Sequence, residues 1–292
     1  MSETKAILLH LTDLHFGDDL NKSISVEGFT YNDIAKLIAT TIKENHTCKK
    51  IIIAIGGDIT NKGAAKKYQY AHEFMTTLKN ELQGIEFDYI LCPGNHDIET
   101  HSSNWFGSFN IFSGELTGEQ NFNYSTTRTS ILYEKWGQSF VTVNSLYHGD
   151  HKFGFVDMPS VEEKLSSAKN PIILLIHHHL IPILKEDIST TRNSYDFLRL
   201  CLKYKVKLII HGHIHSSFKL SFFQEQHKTF CNEITKIDVI GCGATLPVIG
   251  TNYNNQFNVI DLKKGKTNSI SSYRIIYDSH ESHKPQTTKT IL

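Results

Sequence analysis

Ile51-Ile52-Ile53-Ala54-Ile55-Gly56-Gly57-Asp58 is the stretch on which the fold turns. Five apolar residues run without a polar break, as in a strand covered on both faces. Two glycines end the strand, and a carboxylate follows at once. The same grammar recurs upstream, where Ala6 to Leu11 is closed by Thr12-Asp13-Leu14-His15. Downstream, Phe87 to Cys92 leads into Pro93-Gly94-Asn95-His96-Asp97, Ile172 to Ile176 into His177-His178-His179, and Val206 to Ile210 into His211-Gly212-His213-Ile214-His215.

Helical spacing fills the gaps. Ile34, Leu37, Ile38 and Ile42 predict an amphipathic helix over Tyr31 to Asn45, starting near Asn32 or Asp33. Tyr68, Ala71, Phe74, Met75 and Leu78 form the core stripe of another over Ala64 to Leu82. The order β-α-β-α-β predicts a parallel sheet with right-handed crossovers. In such a sheet the loops at the carboxyl ends of the strands converge on one edge. Polar side chains as far apart as Asp13 and His215 can therefore meet.

Residues 98 to 138 break this rhythm. They are rich in Ser, Asn, Thr and Gly and carry Trp105, Phe106, Phe109, Phe112, Phe122 and Tyr124. They read as an excursion over the mouth of the site, either a packed insertion or a substrate lid. Phe140 to Val143, Phe218 to Phe223, Lys236 to Ile240 and Phe257 to Leu262 are further strand candidates. Val161 to Ala168 and Tyr195 to Tyr204 are helix candidates. Asn144-Ser145 reads as a turn or as part of the pocket lining. Gly241-Cys242-Gly243 lies in a β-rich section and lacks the third glycine of a dinucleotide fingerprint, so it reads as a turn near the site. The whole reads as one domain over residues 1–278 with an insertion at about 98–138. A polar tail, 279–292, is expected to be frayed or disordered.

The 292 residues are 39% hydrophobic and 21% charged, as in an ordinary globular protein. Thirty basic and thirty acidic side chains cancel, so there is no strong positive field to hold a long nucleic acid. Five cysteines, Cys48, Cys92, Cys201, Cys231 and Cys242, form no Cys-x-x-Cys pair and fit a reducing compartment better than a disulfide framework. No leader-like segment and no membrane-length apolar run is visible, which predicts a cytoplasmic protein with no membrane contact. Histidine is abundant, with 17 copies. His46, His72, His101, His280 and His283 lie in polar surroundings and are expected to be solvated.

The chemistry lies in the strand-end clusters. Asp, Asn and His offer oxygen and nitrogen donors without a thiolate, a set suited to manganese, iron, zinc or similar divalent ions. Two such ions close together need a shared carboxylate to offset their repulsion and acidify a bridging water to hydroxide, the nucleophile. Asp-x-His, Gly-Asp, Gly-Asn-His-Asp, a strand-end His and Gly-His-x-His, in this order over residues 13 to 215, resemble the calcineurin-like metallophosphoesterases. The resemblance implies a four-layer α/β/β/α sandwich with mixed sheets, of the metallo-dependent phosphatase type, with two divalent metal ions at the strand ends. By position, Asp13, His15, Asp58 and His215 would hold the first ion, with Asp58 bridging, and Asn95, His177 and His213 would complete the second. His96 would contact the phosphate and protonate the leaving oxygen, and Asp97 would orient His96. Strand alternation places His177 and His179 of the triplet on one side. The family's usual His-His-Pro pattern selects His177, although Leu180-Ile181 here precede Pro182.

The branch is legible in part. Gly57-Asp58-Ile59-Thr60-Asn61-Lys62-Gly63 and the final Asp97 depart from the protein Ser/Thr phosphatase pattern of Gly-Asp-x-x-Asp-Arg-Gly and Gly-Asn-His-Glu. They look like the branch of cyclic-nucleotide and related small phosphodiesterases, and the insertion's aromatics would stack on a base. The expected activity is therefore dinuclear-metal hydrolysis of a nucleotide or other small phosphodiester through a metal-bridging hydroxide. The rivals are a DNA or RNA nuclease of the same superfamily, which the neutral charge does not favour, and a metal-binding scaffold without catalysis. The assembly state is not legible.

Overall fold

Unbroken apolar runs become adjacent buried strands. In the computed structural model, which describes residues 5–17, 29–61, 65–100, 102–118, 121–183, 185–228, 231–246, 255–262, 269–277 and 286–292, β1 (Ala6–Leu11), β2 (Lys50–Ile55) and β3 (Glu86–Leu91) pair in parallel, with Leu9 opposite Ile53 and Ile53 opposite Tyr89. The second sheet starts with β4 (Ser130–Lys135) and continues through β5 (Gln138–Val143), β6 (Ile172–Ile176) and β7 (Leu208–His211) to β9 (Cys231–Gly241) and the edge strand β8 (Phe218–Lys228). On the far side of β1, the first sheet is extended antiparallel by β10 (Gln256–Leu262), β11 (Ile270–Ile276) and β12 (Gln286–Ile291).

The period of two decides the layering. In β6, Ile173 and Leu175 enter the core shared with the first sheet, while Ile172, Leu174 and Ile176 enter a second core. Helices α1 (Tyr31–Asn45) and α2 (Tyr68–Glu81) join the first core through Ile34, Ile38, Ile42, Phe74 and Leu78. After α3 (Gly107–Thr117) come α4 (Met158–Ser167) and α5 (Ser194–Lys203), which close the second core with Val161, Leu165, Phe197 and Cys201. The result is the expected α/β/β/α sandwich of two mixed sheets. A capping box starts α1: the Thr30 backbone N–H donates to the Asp33 carboxylate (2.9 Å), and Asp33 N–H donates to the Thr30 hydroxyl (3.3 Å). The second predicted helix divides into a 3₁₀ turn, Ala65–Lys67, and α2 proper.

Three expectations need correction. The 98–138 excursion contains α3 and β4, and Phe106, Phe109, Phe112, Phe122 and Tyr124 are each 2% exposed or less. The Tyr124 hydroxyl also donates to the Leu91 carbonyl at the end of β3 (2.7 Å). These rings are committed to packing and are not available to stack on a base. The polar tail is not frayed throughout: Gln286–Ile291 pairs antiparallel with β11, its β-branched Thr287, Thr288 and Thr290 suiting an edge strand. Thr287 also meets the hydroxyl of Thr41 on α1 (3.1 Å). His46 is not solvated but bonds the Tyr273 hydroxyl (2.7 Å). His101, His280 and His283 lie outside the described residues.

Candidate metal centre

Each apolar strand ends in a turn, and at these turns the backbone is bent into a rare conformation. Asp13, His15, Asp58, His213 and His215 have φ between 44° and 71°, in the left-handed region; among the described residues only Trp136 and Lys205 are other non-glycine examples. Such a conformation costs on the order of 1–2 kcal/mol per residue, so five gathered at one edge mark a place where the surroundings impose it. Backbone bonds supply part of that constraint. Asp13 N–H donates to the Gly57 carbonyl (3.0 Å) and His15 N–H to the Asp58 carbonyl (2.9 Å), so the turn after β1 is laced to the turn after β2. Glycines allow the remaining approach. A Cβ on Gly94 would lie 2.2 Å from both the Asp58 backbone nitrogen and its Oδ1, and one on Gly212 would lie 1.9 Å from the Thr12 hydroxyl.

Two groups of ligand atoms converge there. His215 Nε2 lies 3.2 Å from Asp13 Oδ1 and 3.3 Å from His15 Nε2, which in turn lies 3.7 Å from Asp58 Oδ2. Asp58 Oδ1 faces the other way, 3.4 Å from His177 Nε2. His177 Nε2, His213 Nδ1 and Asn95 Oδ1 then form a triangle with edges of 3.0, 3.1 and 3.2 Å. All seven residues proposed from the sequence as ligands are thus brought together, with Asp58 between the two groups. His177 Nδ1 is 2.7 Å from the Gly56 carbonyl, so Nδ1 carries a proton and Nε2 is the nitrogen aimed into the triangle. Atoms bound to one ion at about 2.1 Å stand about 3.0–3.4 Å apart; the second group has that spacing throughout, while the first is looser, with His15 Nε2 3.7 Å from Asp58 Oδ2 and 4.0 Å from Asp13 Oδ1. In donor type and direction the residues fit divalent cations.

The electrostatics are those of a preformed cation site. Burial alone would raise the Asp58 carboxyl, but His177, His96 and His15 hold it well below the usual carboxylate range. Burial would likewise raise Asp13, and His215 holds it down. Desolvation keeps His15 (to about 4) and His213 (to about 3) neutral, as ligands must be. His177 and His215 go the other way: burial lowers both, but the Asp58 charge raises His177 to about 9 and the Asp13 charge raises His215, so each must give up a proton to ligate a cation.

His96 stands beside this group, its ring edge-on to His15 with centroids 4.9 Å apart and its backbone N–H donating to Asp58 Oδ1 (2.7 Å). Its ring nitrogen also lies within reach of the ligand atoms of His15 and Asp58. Asp97 differs in detail. Its carboxylate accepts from the backbone N–H groups of Gly94 (2.9 Å), Ile59 (3.0 Å) and Thr60 (3.2 Å) and from the Tyr68 hydroxyl (3.0 Å), and none of these bonds goes to the His96 ring. It pins the Asn95–Asp97 turn against the turn after β2. Burial, with the Asp58 charge added, pushes its carboxyl up to about 6 against the pull of those amides.

The His triplet divides cleanly. Only His177 enters the cation groups; His178 Nδ1 meets the Ser145 hydroxyl (2.8 Å), and His179 Nε2 pairs with Asp187. His211 Nδ1 contacts the Gly212 carbonyl (3.1 Å), a structural role. Sequence reasoning overlooked several supporting groups. The Thr12 hydroxyl donates to Asp13 Oδ2 (2.8 Å), while Thr12 N–H donates to Thr245 Oγ1 (3.0 Å) and Thr245 N–H to the Thr12 carbonyl (2.9 Å). A hydroxyl directly before the first Asp was a usable signal for Thr12. Tyr68 read as core because only its ring shows in the helical stripe, and Asp187 sits in a polar loop with no pattern to single it out.

A family model described as calcineurin-like phosphoesterase matches residues 7–217. A probable cyclic nucleotide phosphodiesterase of Xenorhabdus bovienii is 24% identical over 217 residues, spanning 72% of this chain and 78% of its own. A second of that description, from Psychrobacter arcticus, is 24% identical over 218 residues, spanning 71% and 73%. Among solved structures, a purple acid phosphatase from yellow lupin seeds superposes with a TM-score of 0.57 at 13% identity, over 98% of this chain and 54% of the lupin chain. That likeness shows the shared sandwich.

Proposed function

The chain belongs to the calcineurin-like phosphoesterase family and is a phosphoric ester hydrolase, and from that premise we propose that it is a dinuclear-metal phosphodiesterase acting on a nucleotide or another small phosphodiester. The observation that carries the reading is the placement of Asp58, with Oδ2 turned to His15 and Oδ1 to His177, between two complete ligand groups. Asp13, His15, Asp58 and His215 would hold the first ion, and Asp58, Asn95, His177 and His213 the second. When bound, the ions supply Lewis acidity: they lower the pKa of a water and neutralise charge on the phosphoryl oxygens. Manganese, iron and zinc all suit the donor set.

The remaining chemistry belongs to the chain. In this reading the His96 ring bonds a phosphoryl oxygen and donates a proton to the departing alkoxide oxygen. Asp97 and Tyr68 keep that ring in register by holding its backbone. Departure from the protein phosphatase pattern, the balance of 30 basic and 30 acidic residues, and two relatives described as probable cyclic nucleotide phosphodiesterases all support a small diester over a phosphoprotein or a long nucleic acid.

The test is a substrate panel on manganese-loaded protein. Bis-p-nitrophenyl phosphate and 3′,5′-cyclic nucleotides should be cleaved faster than p-nitrophenyl phosphate. Preference for the monoester would overturn the diesterase assignment, rapid degradation of single-stranded DNA would point to a nuclease, and two tightly bound ions with no turnover of any substrate would leave a scaffold.

A further inference from the structure

The second cation group has a brace that the ligand chemistry does not use. His179 is fully buried, and its Nε2 is paired with the nearly buried carboxylate of Asp187. Its Nδ1 is also buried and has no hydrogen-bond partner. A stranded N–H there would be costly, so the proton belongs on Nε2, donated to Asp187, and Nδ1 carries a lone pair. The His179 ring lies nearly parallel to that of His213, at 18° with centroids 5.5 Å apart. His178, itself held by Ser145, leans on His213 as well, with centroids 4.4 Å apart. His213 is thus packed by two anchored imidazoles.

Asp187 is itself fixed. Its other oxygen, Oδ1, accepts from the Ser189 backbone N–H (2.9 Å) and hydroxyl (2.7 Å), a local turn that aims Oδ2 at His179. A carboxylate accepting from an imidazole makes that ring electron-rich. An imidazole whose Nδ1 binds a divalent cation becomes electron-poor. Stacking the first on the second is more favourable once the cation is present, and it sets a negative charge one ring away from it.

We propose that Asp187 and His179 are positioning residues for the second cation: the carboxylate fixes and polarises the His179 ring, and that ring holds His213 in its ligating orientation. This rests on the two-cation reading above. It adds a specific asymmetry, because the pair braces His213, a member of the group formed by Asn95, His177 and His213.

The experiment is a chelator-competition titration with Mn²⁺, giving separate dissociation constants for the two ions in the parent and in Asp187→Asn. Asparagine keeps an Oδ1 acceptor for the Ser189 turn but removes the charge. The first constant should stay as in the parent and the second weaken about 10- to 100-fold. His179→Gln should reproduce the loss, and Asp187→Glu should recover part of it. Far-UV circular dichroism and thermal melting establish that each variant is folded. Parent-like constants for both ions in either folded variant would overturn the proposal, as would equal weakening of both. A parent that binds one ion or none would overturn the two-cation reading, and this proposal with it. Two ions in the parent with an unaltered second constant in Asp187→Asn would overturn this proposal alone.

Discussion

The two sheets contribute differently to the centre. The first supplies Asp13, His15, Asp58 and Asn95, which include both carboxylates; the second supplies His177, His213 and His215, all imidazoles. One half supplies the carboxylate charge and the other supplies directed imidazole nitrogens. Neither cation group is complete on one side, since His215 joins Asp13 and His15 while Asn95 joins His177 and His213. The centre is therefore a seam, and it forms only when the sheets are in register.

Removing the one residue shared by both groups should break this division most severely. Asp58→Ala is expected to lose both cations and activity on the order of 10⁴-fold or more. Metal analysis after dialysis checks the first effect and steady-state rates the second; a variant that keeps two ions would show that the seam does not depend on this carboxylate. His96→Ala sharpens the distinction between binding and chemistry. It should keep both ions while the rate falls on the order of 10²–10³-fold, with kcat carrying the loss. The smallest effect is expected behind the first sheet. Tyr68→Phe removes one of four bonds to the Asp97 carboxylate and should cost about 1–2 kcal/mol of stability by denaturant melting, with kcat changed only a few-fold.

The same contrast explains what the sequence could tell. Strand ends were legible because β6 is a continuous apolar run, β1 and β2 are interrupted only by His10 and by Lys50 at the start, and all three are terminated by chemically distinctive residues. The gathering of Asp13, Asp58 and His213 followed from parallel topology alone. Their left-handed backbone and the near contact of Gly94 with Asp58 did not, because they arise between turns distant in the chain. Helix α3 was hidden because Gly107, Ser108 and Asn110 have weak helix propensity, and it is held by the packing of Phe109 and Phe112 and by the bonds of Asn110 to Tyr124, contacts distant in the chain. Strand β12 was hidden because Gln286-Thr287-Thr288-Lys289-Thr290 is polar on both faces, as an exposed edge strand permits. The bonds of Asp97 were misread for a related reason: two of its four donors, Ile59 and Thr60, belong to another turn.

Anomalous diffraction from manganese-soaked crystals tests the shared-carboxylate centre most directly. Two peaks are expected, one touching Asp13, His15 and His215, the other touching Asn95, His177 and His213, and both in contact with Asp58. A single peak, or two peaks of which one does not touch Asp58, would contradict the account.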